Sequence, residues 1–284
     1  MKKFIIVVSA LFIAALMVLL YSNIAITTSE YDVNTKKIEG RATLVFLSDL
    51  HSRDFSSDNA ELIRLVKSAK PDAILLGGDM INSKDDEFSV FFSLCKKLIE
   101  IAPVYAVLGN HEMLLPSKLL EEYKETLSDM GATFLDNSYI DIKTKAGDIR
   151  LYGLNIPLYL YSYEKVMQEN GYNYTKEMIQ KNLGEIDKTK LNLLLTHNPK
   201  FFETYAGAGF DITLCGHMHG GGLRIPFVGG VFSSDRTLFP KYDAAAFTID
   251  EKTMIVGRGL SETFFPIRFF NPADVVILKI GNDD

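Results

Sequence analysis

The chain carries five histidines, His51, His111, His197, His217 and His219, and each closes or follows an apolar run. Their neighbours are Asp, Asn and Gly. The segments read Ser48-Asp49-Leu50-His51, Gly109-Asn110-His111-Glu112, Thr196-His197-Asn198 and Gly216-His217-Met218-His219-Gly220. A fifth segment of the same character, Gly77-Gly78-Asp79, has no histidine. Carboxylate, amide and imidazole donors without sulfur suit Mn, Fe, Zn or Co rather than calcium, which prefers all-oxygen cages. In Asp49-x-His51 and His217-x-His219, extended backbone would aim residues i and i+2 to one side. Flanking glycines at 78, 109, 216, 220 and 221 permit sharp turns and close backbone approach. Singly, these motifs are ordinary turns. Together, with no histidine left over, they read as one divalent-metal centre.

The elements that must position these residues are legible. Apolar runs at 42–47, 73–76 and 104–108 read as strands. Amphipathic stretches at 59–70, 88–101 and 117–130 read as helices, the first ended by Pro71 and the last capped by Gly131. This alternation predicts an α/β fold. The second half is richer in strands, at 140–142, 149–154, 191–195, 212–215, 244–249, 254–257 and 275–280. Each motif follows a strand, and ligands in α/β sheets gather at the carboxyl ends of strands, so the five loops should meet. Residues 157–190, with Tyr159, Tyr161, Tyr163, Tyr172 and Tyr174, read as an insertion between two strands that would line a lid or serve core and surface.

With 284 residues, 47% of them hydrophobic and 23% charged, the chain is globular rather than disordered. A net charge of −6 argues against nucleic acid as the partner, which would call for a basic face. Cys95 and Cys215 stand in apolar surroundings and read as buried thiols, and no CxxC pair exists for a thiolate zinc site. Lys2 and Lys3 precede an apolar run from 4 to 20, extended by Tyr21 and residues 24–26. That length spans a bilayer, and no Ala-x-Ala follows Leu20, so residues 1–26 read as an uncleaved signal anchor. Lysines before the run place the amino end in the cytoplasm and the rest outside the membrane. Residues 27–41 read as a polar tether with one edge strand, and 42–284 as the metal-bearing domain.

The motif series Asp49-x-His51, Gly78-Asp79, Gly109-Asn110-His111-Glu112, His197 and Gly216-His217-x-His219 resembles, in order, the five signatures of the calcineurin-like metallophosphoesterases. The later runs Arg224-Ile225-Pro226 and Pro266-Ile267-Arg268 look like a bacterial membrane- or envelope-associated subgroup. The resemblance implies a four-layer α/β sandwich, two central β-sheets flanked by helices. It implies that Asp49, His51, Asp79 and His219 hold one cation, that Asp79, Asn110, His197 and His217 hold a second, and that Asp79 bridges. Two cations about 3.5 to 4 Å apart lower the pKa of a shared water from about 16 toward 7, so that hydroxide attacks phosphorus in line. His111 would face the substrate and protonate the leaving oxygen. Phosphoprotein phosphatases of this superfamily keep Asp then Arg where this chain has Asn82 and Ser83, which argues against that activity and leaves His111 a weaker partner. Arg224, just after the last metal motif, would pin an anionic substrate group or stand as a plain surface arginine. The competing readings are a non-catalytic scaffold, which would typically lack His111 or a ligand, and a nuclease. A short link between the anchor and the first core strand favours envelope lipid or cell-wall phosphoesters as substrates.

Overall fold

The apolar runs at 42–47, 73–76, 191–195 and 212–215 become strands buried on both faces. The computed structural model describes residues 1–55, 58–85, 87–162, 164–261 and 267–282. Tyr163 and Pro266 lie outside the described residues.

In chain order the first half gives α1 (Lys2–Ile24), β1 (Ile26–Val33), β2 (Arg41–Leu47), α2 (Ala60–Ser68), β3 (Ala73–Leu76), α3 (Ser89–Ile99), β4 (Val104–Ala106), α4 (Asn110–Met113), α5 (Ser117–Met130) and β5 (Thr133–Phe134). The second half gives β6 (Ser138–Thr144), β7 (Gly147–Leu154), α6 (Glu164–Asn170), α7 (Lys176–Leu183), β8 (Leu191–Thr196), α8 (Phe202–Ala208), β9 (Ile212–Cys215), β10 (Arg224–Ile225), β11 (Gly229–Gly230), β12 (Ala245–Ile249), β13 (Lys252–Val256) and β14 (Ala273–Gly281). One sheet runs β1-β14-β2-β3-β4-β5 and the other β12-β13-β9-β8-β7-β6, with β10-β11 a separate hairpin.

Alternation along each strand splits its side chains between two cores. Leu44, Phe46, Leu75, Leu193, Leu195 and Leu214 face the space between the sheets. Val45, Leu47, Ile74 and Leu76 face outward against Leu62 of α2, Phe91 of α3 and Leu127 of α5. On the far side Leu154, Leu194 and Val256 meet Ile179 of α7 and Tyr205 of α8. The order is helix, sheet, sheet, helix, as the resemblance implies. A strand buried on both faces is apolar at nearly every position, which is why these runs show no polar alternation; the buried Asn192 spends its amide on the Asp187 carbonyl. Each buried Leu or Val contributes about 1.5–3 kcal/mol of transfer free energy, and Phe46→Ala would cost about 3–5 kcal/mol.

β2, β3, β4 and β5 are parallel, so their carboxyl ends share one edge of the sheet. β7, β8, β9 and β13 are likewise parallel in the second sheet. The stretch 157–190 is not an insertion. β7 and β8 are parallel neighbours, which requires a crossover connection, and α6 and α7 supply it. Cys95 and Cys215 are buried free thiols, as expected.

The edge strand expected within the tether forms, and it begins one residue after the helix. Helix α1 ends at Ile24, Ala25 turns extended, and β1 begins at Ile26, pairing parallel with β14 from Ile26↔Ala273 to Val33↔Ile280. β14 runs antiparallel to β2, with Val276 opposite Phe46. Ile26 and Ala273 therefore stand at the edge where β2 ends and the metal loops begin. Thr27, Ser29, Tyr31 and Val33 turn inward and alternate with exposed Thr28, Glu30 and Asp32, the one-sided burial of an edge strand. Helix α1 is 23 residues, about 35 Å at 1.5 Å per residue, and is long and apolar enough to cross a membrane.

Candidate active site

The five loops converge. Three groups of donor atoms, each within 4.8 Å of one another, are Asp49 with His51 and His219, His51 with Asp79 and His111, and Asp79 with His197 and His217. Asp79 Oδ2 lies 3.2 Å from His197 Nε2 and 3.9 Å from His51 Nε2, so this carboxylate touches both sides. Asp49 Oδ1 lies 3.3 Å from His219 Nε2, and His51 and His219 bring their Nε2 atoms to 3.2 Å.

The strand-alternation argument for the paired ligands is corrected. Asp49, His51, Asp79, His217 and His219 all have φ between 48° and 72°, the left-handed region rather than extended backbone. His217 and His219 enter different groups, whereas Asp49 and His51 share one. Gly78 and Gly216 make the crowding possible. A Cβ on Gly78 would lie 2.3 Å from the Gly109 nitrogen, and one on Gly216 would lie 2.4 Å from Asp49 Oδ2.

The donor set fits divalent cations. Among the described residues, Asn110 Oδ1 and His217 Nε2 are buried without a hydrogen-bond partner, an arrangement that costs about 1–3 kcal/mol per atom unless something binds there. His197 Nδ1 donates to the Gly77 carbonyl at 2.7 Å and His219 Nδ1 to the Ser261 carbonyl at 3.0 Å. These bonds fix the tautomers and turn both Nε2 lone pairs inward. Burial pulls His51 and His219 down to about 3, and His217 well below its usual value, so all three stay neutral. Burial would lower His197 too, but Asp79 and Asp49 hold it up at about 10. Burial pushes the Asp49 carboxyl up. It would raise Asp79 also, yet the adjoining His197 keeps that carboxyl well below the usual range.

His111 is held differently from the expectation built on Asn82. Asn82 Nδ2 donates to the His51 carbonyl at 3.0 Å, while the Ser83 backbone N–H donates to His111 Nδ1 at 3.2 Å. A ring that accepts at Nδ1 carries its proton on Nε2 when neutral. The backbone N–H of His111 donates to Asp79 Oδ1 at 2.8 Å, locking α4 to the shared carboxylate. Arg224 lies in the hairpin with Nη1 at 2.9 Å from both Asp243 Oδ2 and the Gly220 carbonyl, so its charge is met within the protein.

Three residues gain roles the sequence did not give them. Glu112 is fully buried. Its Oε2 accepts from the Asp79 and Gly109 N–H groups at 2.8 Å each, and its Oε1 from Met80 at 2.7 Å and Ile81 at 3.3 Å. One carboxylate thus ties two metal loops together. Burial and the charge of Asp79 push it up to about 7, against the pull of those donors. Arg268, also buried, donates from Nε to the Ser261 carbonyl at 3.1 Å and from Nη1 to Asn271 at 3.0 Å. It fixes the carbonyl that orients His219. The sequence marked it only as part of the run Pro266-Ile267-Arg268, with no role beyond the resemblance. Tyr161 sets its ring 5.0 Å from that of His217, with a buried hydroxyl that has no partner. Of the other tyrosines, Tyr174 is core, and Tyr159 and Tyr172 are exposed and pair ring to ring at 5.1 Å.

Residues 42–221 match the calcineurin-like phosphoesterase family. Phosphodiesterase YaeI of Escherichia coli (strain K12) is 30% identical over 240 residues, 84% of this chain and 81% of that protein. The uncharacterized metallophosphoesterase YkoQ of Bacillus subtilis (strain 168) is 25% identical over 268 residues, 89% of this chain and 92% of that one. Among solved structures, phosphopantetheinyl hydrolase PptH from Mycobacterium tuberculosis superposes with a TM-score of 0.48 at 14% identity, over 81% of this chain and 95% of that one. A match that long, carried by the same five loops that meet at the metal groups, makes the chain a member of the calcineurin-like phosphoesterase family and a metal-dependent phosphoesterase.

Proposed function

We propose that the protein hydrolyses phosphoesters at the outer surface of the cell membrane, on a lipid-linked or cell-wall substrate, with α1 as a single-pass anchor. One observation carries this reading: α1 joins β1 through a single residue, at the sheet edge where Asp49, Asp79 and Asn110 begin their loops. A site so close to the bilayer gains effective concentration on substrates that share it. Lys2 and Lys3 before the helix favour a cytoplasmic amino end and an extracytoplasmic domain. The name of the Escherichia coli relative, a phosphodiesterase, favours diesters.

Asp49, His51, Asp79 and His219 would hold one cation and Asp79, Asn110, His197 and His217 the other, manganese being favoured by the oxygen and imidazole donors. When bound, the pair supplies a hydroxide nucleophile near neutral pH and positive charge for the phosphoryl oxygens. Asp79 fixes the spacing of the two groups, since it contacts both. His111 offers Nε2–H to the phosphoryl or leaving oxygen, with Ser83 holding the ring in that tautomer. Tyr161 packs against His217 and shields that side from water.

The test compares kcat/KM on lipid-linked and soluble phosphodiesters for the full-length protein in vesicles loaded with manganese. Preference for the lipid-linked substrate is expected. If soluble diesters are turned over as well or better, the membrane-substrate reading fails while the phosphoesterase stands. Protease added to intact spheroplasts should digest the domain, and full protection would reverse the topology.

A further inference from the structure

The hairpin β10–β11 springs from the loop that carries His217 and His219, and its tip is the most exposed apolar point among the described residues of the domain. Phe227 is fully solvent-exposed, Val228 is 62% exposed and Ile225 47%. Two more segments join it. Leu238 and Phe239 are exposed at 65% and 58%, and Phe270 is half-exposed. Ile225, Phe227, Phe239 and Phe270 line one open cleft of about 650 Å³, so the segments form a single surface. The backbone binds them together: the Arg224 N–H donates to the Phe269 carbonyl at 2.9 Å, and the Phe239 N–H to the Val231 carbonyl at 2.9 Å. A soluble domain rarely keeps a contiguous apolar surface of this kind without a partner.

The end of α1 lies against the same surface. Asn23, in its last turn, clasps Arg268: Asn23 Oδ1 accepts the Arg268 N–H at 2.9 Å, and Asn23 Nδ2 donates to the Arg268 carbonyl at 2.8 Å. Two residues on from that clasp stands Phe270. The segment that carries Phe270 is thus tied to the point where α1 leaves the domain.

We propose that this surface is a second membrane contact, in which the hairpin tip, the 238–239 turn and the segment around Phe270 dip into the lipid leaflet that α1 enters. It rests on the reading of α1 as a bilayer helix. Aromatic and aliphatic side chains on a short, rigid hairpin suit burial about 5–10 Å into the headgroup and acyl boundary. The contact fixes the orientation of the domain. Asn271, next to the patch, donates to the carbonyls of His219 at 2.8 Å and Gly222 at 2.9 Å, so the metal loop is rooted in the surface that meets lipid. A phosphoester headgroup at the interface would then lie beside the ligands without leaving the membrane.

The chain has no tryptophan, so one introduced indole reports alone. Full-length Phe227→Trp, Phe12→Trp and Tyr139→Trp are reconstituted in phosphatidylcholine–phosphatidylglycerol vesicles with and without brominated acyl chains. Tyr139 is exposed on β6, at the opposite edge of the second sheet, and serves as the solvent reference. The inference expects blue-shifted Phe227→Trp emission that brominated lipid quenches, and Tyr139→Trp emission left unquenched. Quenching at Phe12 but not at Phe227 overturns it and leaves the anchor standing. Quenching at Phe227 without Phe12 supports the surface and overturns the anchor reading. Blue-shifted Phe227→Trp emission that lipid does not quench means a protein covers the patch, and overturns the proposal.

Discussion

Glu112→Gln should loosen the metal site without touching a ligand. The glutamate oxygens take four backbone N–H groups, from Asp79 and Gly109 on one oxygen and from Met80 and Ile81 on the other. Glutamine keeps one acceptor and presents an NH₂ where the second oxygen stood, so at least two buried donors lose their partner. Above its raised pKa of about 7 the glutamate is charged, and a hydrogen bond to a charged group contributes about 1.5–3 kcal/mol, so at pH 8 or above the loss is about 3–6 kcal/mol. Native stabilities are about 5–15 kcal/mol, so this is a large share. At about 2–4 °C per kcal/mol for a domain of this size, Tm should fall by roughly 6–24 °C. The two loops so released carry Asp79 and Asn110, so metal content should fall below two ions per chain. Thermal denaturation followed by circular dichroism, with elemental analysis of manganese-loaded protein in detergent, reads both quantities. Glu112→Asp, which keeps the charge, should recover part of each. A Glu112→Gln protein with full metal and a Tm shift smaller than the about 2 °C that one kcal/mol gives would refute the reasoning.

Asp79→Asn should remove more metal than any other single ligand change, because Asp79 contacts both groups; activity persisting with under one ion per chain would contradict the two-metal reading. His111→Ala should lower kcat by roughly 10² with both ions retained, and less for good leaving groups such as p-nitrophenol; equal losses for good and poor leaving groups would remove the donor role. In the metal-free protein His197 is held protonated up to about 10 and must lose that proton to bind a cation. Metal affinity should therefore rise with pH between neutrality and about 10, by about tenfold per unit, with about one proton released per chain in calorimetry across buffers. A pH-independent affinity would show that His197 is already neutral.

The sequence by itself determined the chemistry and the scaffold. Five histidines, each beside Asp, Asn or Gly at the end of an apolar run, can serve little but a metal centre, and the doubly apolar runs at 73–76 and 191–195 can only be strands covered on both sides. These signals are local, because residue type and periodicity are fixed by the nearest neighbours in the chain. What the tertiary structure decided was direction and partnership. Asp49, His51, His217 and His219 stand on left-handed backbone rather than extended strand, and the fold puts Asp49 and His51 in one group but His217 and His219 in different ones. The tautomers of His197 and His219 depend on carbonyls of Gly77 and Ser261, far away in sequence. Glu112 looked like the last letter of a motif, and only the N–H groups of another loop make it a clamp. The sequence offered an edge strand within 27–41 but not its partner. Only the pairing of β1 with β14, some 247 residues away at Ile26↔Ala273, puts the apolar helix α1 at the edge where the metal loops begin. Hydrogen-bond partners supplied across such distances leave no trace in composition or spacing, so the sequence carries the donors while the fold alone chooses what each one faces.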